Sequence, residues 1–290
     1  MLNRYVVALA GVIAAVSPLI VRASEPPVHG LWVWKTASVL EAPGAAERLC
    51  NFCKAAGINE VYLSFSSKDE SDDGKIVALN GLLQQANIRP EALLGSNDAD
   101  KTGKPRDAFL EHVRAVVAFN RKHPKERFDG VHLDIEPHQR EENKGAGNLQ
   151  YLPGLIETYR AVRAIAAPAE MSVNADIANK VLKADAEHRR AMLTSVNRVT
   201  LMLYELSSPD DDKSTPVKMQ KLRQMSEKYI EMAYDGIGDT PRLAKMGIGL
   251  RTPDYGELLP DMLQSLDEAY RGNPHYLGWA RHSYNDYLSK

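Results

Sequence analysis

Cysteine is scarce in this chain. Its 290 residues hold two, Cys50 and Cys53, too few for the several bridges that staple a small disulfide-built domain. Their spacing is also that of a redox or metal pair. No further cysteine and no nearby histidine accompanies them, and AAERLCNFCKAAG has the pattern of an amphipathic helix. They are expected to be small helix residues, free or locally bridged. Strong charge of either sign is lacking too. The formal net charge is −2, acids and bases are mixed along the chain, and no basic stripe appears. That leaves no electrostatic footprint for nucleic acid. No glycine-rich phosphate loop follows the first strand signal, since GLWVWKTAS lacks the glycines of a dinucleotide crevice. No Pro/Ser-rich linker and no repeat of constant period divides the chain, so a single domain is expected, with no cofactor and no protein partner implied.

Long apolar runs are confined to the N-terminus. Arg4 supplies a positive start, Tyr5 to Val21 is almost unbroken apolar sequence, and Val21-Arg22-Ala23 fits the small-residue rule of a signal-peptidase site. A retained anchor is the competing reading, although the run is near the lower limit for spanning a bilayer. Pro18 and the Val-x-Ala pattern favour cleavage. Residues 1–23 are therefore expected to be a signal peptide. The mature chain, 24–290, is expected to be exported, periplasmic or secreted, with no membrane attachment.

Within that mature chain, strand signals fall at Gly30–Trp34, Ile58–Phe65, Glu91–Gly95, Phe128–Glu136, Glu170–Asp176, Asn197–Tyr204, Lys245–Arg251 and Tyr276–Arg281. Helical patterns separate them, clearest at Ala45–Ala56, Asp107–His123, Leu149–Ala166, Val217–Tyr234 and Gly256–Arg271, with a shorter one at Ile76–Ala86. Alternation of this kind implies parallel strands joined by right-handed crossovers. Eight units fit the length of one closed barrel, and polar or aromatic residues gather at the strand ends: Trp34, Ser66, Asn97, Glu136, Asp176, Tyr204, Arg251 and Trp279. The predicted class is α/β, a single (β/α)8 TIM barrel, whose strand ends share the face where active sites form.

The fourth strand, FDGVHLDIEPH, carries the chemistry. Side chains alternate along a strand, so Val131, Leu133 and Ile135 should face the helices while His132, Asp134 and Glu136 point into the barrel. Three ionisable groups there are expensive unless paired, hydrogen-bonded or neutralised. Folding alone would be better served by Val or Ile, although a buried salt-bridge network is an alternative. Asp129-Gly130-Val131-His132-Leu133-Asp134-Ile135-Glu136 resembles the DGxDxDxE signature of glycoside hydrolase family 18, the chitinase-like barrels, departing at His132, where the family has Asp. Met202-Leu203-Tyr204-Glu205 is similar to that family's Met-x-Tyr-Asp/Asn strand ending. Trp279 stands on the last strand, where the family places a Trp beneath the sugar.

Glycoside hydrolysis needs a proton donor for the leaving oxygen and a group that stabilises positive charge at the anomeric carbon. Glu136 is the candidate acid, its pKa expected to be raised by Asp134 two residues below. The resemblance implies that the substrate's own N-acetyl group is the nucleophile, oriented by Asp134 and hydrogen-bonded by Tyr204. Glu205, Asp176 and Asp98 are alternative second carboxylates, and strand seven ends without a Glu. Further substrate contacts are expected from Trp34, Asn97, His132, His138, Asn174, Arg251 and Trp279, with Arg251 either structural or anchoring and Trp32 assigned to core packing. Two rival functions remain open. One is a non-catalytic carbohydrate-binding barrel. The other is a metal-dependent hydrolase or phosphodiesterase, in which His132, Asp134, Glu136 and His138 would need ligands such as Asp176 or Asp98 from other strands.

Overall fold

The structure is a computed structural model that describes residues 26–65, 73–145, 147–204, 215–238 and 240–288. Eight parallel strands close into a barrel in chain order. They are β1 (Val28–Val33), β2 (Glu60–Ser64), β3 (Arg89–Ser96), β4 (Gly130–Ile135), β5 (Ser172–Ala178), β6 (Arg198–Met202), β7 (Lys245–Arg251) and β8 (Tyr276–His282). Among the described residues the helices are α1 (Thr36–Val39), α2 (Ala45–Ala55), α3 (Asp73–Gln85), α4 (Lys104–Lys122), α5 (Leu152–Ala166), α6 (Ala186–Ser195), α7 (Thr215–Tyr234), α8 (Thr252–Tyr255), α9 (Leu259–Tyr270) and α10 (Asn285–Leu288). The expected eight-stranded barrel is thus the observed one. Among the described residues no helix is long and apolar enough to cross a membrane.

Two cores follow from the alternation of side chains across each strand. The large one lies between strands and helices and holds Leu31, Val33, Val61, Leu63, Val131, Leu133 and Ile135. The small one lies inside the barrel, where Trp32, Tyr62, Leu93 and Ala280 pack together. Cys50 and Cys53 are buried and unbridged on α2, and burial pushes the Cys53 thiol up to about 12. The α6 helix, absent from the sequence-based reading, is opened by Asp185, whose side chain accepts from the His188 N–H.

Candidate active site

Register stacks the inward residues in layers: Glu91 beside Gly130, Leu93 beside His132, Gly95 beside Asp134, and Asn174 beside both His132 and Arg198. Polar groups fill the floor. Arg198 donates to Glu60 (2.7 Å), to Glu91 and to Asn174 Oδ1 (3.1 Å), while Asn174 Nδ2 donates to Glu91 (2.6 Å). Above them His132 bridges Glu91 (3.2 Å) and Asp176 Oδ1 (2.8 Å). Its ring stacks on Tyr62 with centroids 3.6 Å apart, and Trp32 Nε1 donates to Asp176 Oδ2 (2.9 Å). Tyr62 can lie there because Gly30 opposite has no side chain: a Cβ would fall 2.2 Å from the tyrosine hydroxyl. Burial alone would depress His132, but the Asp176 and Glu91 carboxylates push it up to about 10. Burial would raise Glu91, yet Arg198 and His132 pull it down to about 2. Glu91 and His132 therefore face each other as an ion pair at neutral pH, and every member of the column is hydrogen-bonded.

The mouth lies one layer higher. Asp134 Oδ1 is buried with no hydrogen-bond partner among the described residues. Burial, then Asp176 and Glu136, hold its pKa well above the carboxylate range. The Glu136 side chain is 18% exposed, and burial together with Asp176 pushes it up to about 7. The charge raising Glu136 is thus that of Asp176, where the sequence suggested Asp134. Pro137–Gln139 forms a 3-10 turn directly after Glu136, from which Gln139 donates to Glu136 Oε2. His138 Nε2 stands 3.5 Å from Glu136 Oε1, and burial with Lys180 takes that imidazole down to about 4. Around the other side Trp34 Nε1 donates to His282 Nε2 (3.0 Å), which places the remaining ring proton of His282 on Nδ1. The Tyr204 ring centroid is 5.6 Å from that of His282, and the Arg251 guanidinium lies 5.9 Å over the Tyr204 ring.

The barrel therefore brings Trp34, Asp134, Glu136, His138, Asp176, Tyr204 and Arg251 to one mouth. Asn97 and Asp98 follow β3 on the rim, where the Asn97 carbonyl accepts from Arg140 and Asp98 pairs with Lys101 (2.8 Å). Glu205 lies outside the described residues, as do Ser66 and the segments 66–72 and 205–214. Three expectations are corrected. Trp279 faces outward and donates to Asp267 of α9 (3.3 Å), stacked on His29, so it offers no platform at the mouth. Asn174 belongs to the floor network. His132 is 1% exposed with both ring nitrogens engaged, a support beneath the site and no substrate contact. The sequence reading missed His282 and Gln139 at the mouth and Glu91 and Arg198 at the floor. A charge amid apolar strand residues, as in EALLG and NRVTL, was the available signal for the last two. Among the described residues no group of three or more His, Cys, Asp or Glu side chains is arranged to hold a metal ion.

No protein-family model matches the chain, and no curated protein matches it in sequence. Solved structures do share its fold. A chitinase from Chromobacterium violaceum has a TM-score of 0.54 at 12% identity, covering 89% of this chain and 94% of that one. A GH18 chitinase from Pseudoalteromonas aurantia gives 0.55 at 10%, covering 89% and 94%. The PgaB (BpsB) glycoside hydrolase domain from Bordetella bronchiseptica gives 0.55 at 13%, covering 91% and 96%. At such identities the likeness is one of fold: a closed parallel barrel of the kind seen in glycoside hydrolases.

Proposed function

We propose that this protein is an exported glycoside hydrolase that cleaves a glycosidic bond in a polysaccharide containing amino sugars, with Glu136 as general acid. The observation that carries the reading is the pair of carboxyl groups at the mouth, Glu136 pushed up to about 7 and Asp134 well above its usual range. A carboxyl group titrating near neutrality is suited to protonate a departing glycosidic oxygen. Asp134, holding its proton beside Glu136, is suited to orient a 2-acetamido group whose carbonyl oxygen attacks the anomeric carbon, and the Tyr204 hydroxyl to donate to that oxygen. Those two roles rest on the resemblance to family 18. Asp176, held by His132 and Trp32, adds a negative charge near the cation that develops on the sugar. Trp34 supplies an apolar surface.

The test is incubation with a defined glycan panel and mass detection of products, beside Glu136→Gln and Asp134→Asn. Wild type should release products, and Glu136→Gln should slow release by at least about 100-fold. Full activity in both variants would sink the assignment. Departure from the family at His132, and the hydrogen bond from Gln139 that occupies Glu136 Oε2, favour a second reading, a barrel that binds glycans without cleaving them. Retention of a glycan with no product from any panel member would select it. Export rests on residues 1–23, and the intact mass of the mature protein tests cleavage after Ala23.

A further inference from the structure

On the outside of the barrel, at the seam where β8 meets β1, a groove of about 750 Å³ opens between α2 and α9. Trp279 and Arg281, both on the outer face of β8, line it. Arg281 is only 7% exposed, yet among the described residues its side chain has no hydrogen-bond or ion-pair partner, and its Nε is fully buried. The guanidinium lies over two rings, with Phe52 at 5.9 Å and Tyr287 at 5.5 Å. The acids that line the groove are already engaged. Asp267 accepts from His29 Nε2 (2.7 Å), Tyr276 (2.9 Å) and Trp279 Nε1 (3.3 Å). Glu268 accepts from Gln264 (2.9 Å) and pairs with Arg223 (3.6 Å). At the rim, exposed Arg271 also lacks a side-chain partner among the described residues. The groove thus has paired carboxylates and unpaired arginines.

A buried charge without a partner is costly, and an apolar residue would pack better against Phe52. Such a charge, facing a groove of small-molecule size with apolar walls at Phe52 and Leu263, is the signature of a binding site. We propose that this groove binds a small organic carboxylate, its two oxygens on the Arg281 guanidinium fork and its apolar body along Phe52 and Leu263. The site is separate from the barrel mouth and does not depend on the catalytic reading.

Calorimetric titration with benzoate as the probe tests it. Saturable binding is expected with a Kd of about 1 mM or tighter. Neutral benzamide should bind at least tenfold more weakly, and so should inorganic phosphate, which lacks the apolar body. Arg281→Gln should weaken benzoate at least tenfold, while Glu136→Gln should leave it unchanged. Ala55→Trp, at an exposed position of α2 on the groove wall, should block binding and carries the test should Arg281→Gln fail to fold. The proposal is overturned by absent saturation, by equal binding of benzoate with benzamide or phosphate, or by wild-type affinity in a folded Arg281→Gln or in Ala55→Trp.

Discussion

Glu136 and His132 are pushed upward in pKa by opposite physics, one held neutral and the other held charged, and each makes stability fall as pH rises, in its own window. Burial disfavours the Glu136 carboxylate, so the folded state holds its proton up to about 7 whereas an unfolded chain releases it near 4.5. Between those values the folded state binds more protons, and stability falls as pH rises. Glu136→Gln removes that dependence. The thermal midpoint of the variant should therefore gain on wild type progressively between pH 4.5 and 7, a measurement that needs no substrate. His132 is instead a cation, raised by two carboxylates to about 10, and its window lies at higher pH. Its contribution is fully present below about 6.5 and is lost as pH climbs through the folded value. His132→Leu leaves Glu91 and Asp176 buried without their shared partner and should cost about 3–5 kcal/mol in denaturant unfolding at pH 7. His132→Asp, the residue of the resembled family, puts a third carboxylate between them and should be no better tolerated. A variant as stable as wild type would show that the imidazolium is not what holds the pair.

At the scale of elements, the strands were legible because strand and helix signals alternate along the chain and eight such units fit the length of one closed barrel, and β4 was legible side chain by side chain. What failed was phase on β8. Tyr276 and Trp279, three residues apart, both donate to Asp267, which strict alternation forbids. The cause is the register irregularity at Met246/Gly247, where Met246 pairs with Tyr276 but Gly247 with Gly278. That slip turns Trp279 outward and brings His282 to the mouth, and no local composition announces it. The helix α6 was missed because AEHRRAMLTS has little apolar stripe. Loop anchoring was equally invisible. The Thr158 hydroxyl of α5 donates to the Ala99 carbonyl (2.7 Å), and Arg140 grips Asp100 at 2.5 and 2.8 Å. Gly154 permits that approach, since a Cβ there would stand 2.3 Å from the Asp100 carbonyl oxygen. Gly154→Ala should therefore destabilise by about 1–3 kcal/mol and raise amide exchange in 97–101. Unchanged exchange would show that the loop does not depend on α5.

For the molecule as a whole, the charged column joins the floor of the barrel to its mouth. Arg89 reaches Glu60 at 2.8 Å, Arg198 joins Glu60 to Glu91, and His132 carries the chain to Asp176 at the mouth. Each neighbour is the counter-charge that makes the next ionisation tolerable in a low-dielectric interior, so its members should act as a unit. A double-mutant cycle on Glu91→Gln and Arg198→Gln measures this. Exposed ion pairs such as Arg114 with Glu111 (2.5 Å, both side chains at least half exposed) couple by under about 1 kcal/mol and weaken with salt. The Glu91–Arg198 pair should couple by about 2 kcal/mol or more and keep that value when sodium chloride rises from 0.1 to 1 M. Glu91 is held near 2 in the folded state against an ordinary 4.5, so its contribution is present above about 4.5 and disappears as pH falls toward 2. The coupling should therefore collapse in acid. A coupling that is small, or that salt erases at neutral pH, would mean that solvent screens the barrel floor and that Asp176 is held by His132 and Trp32 alone.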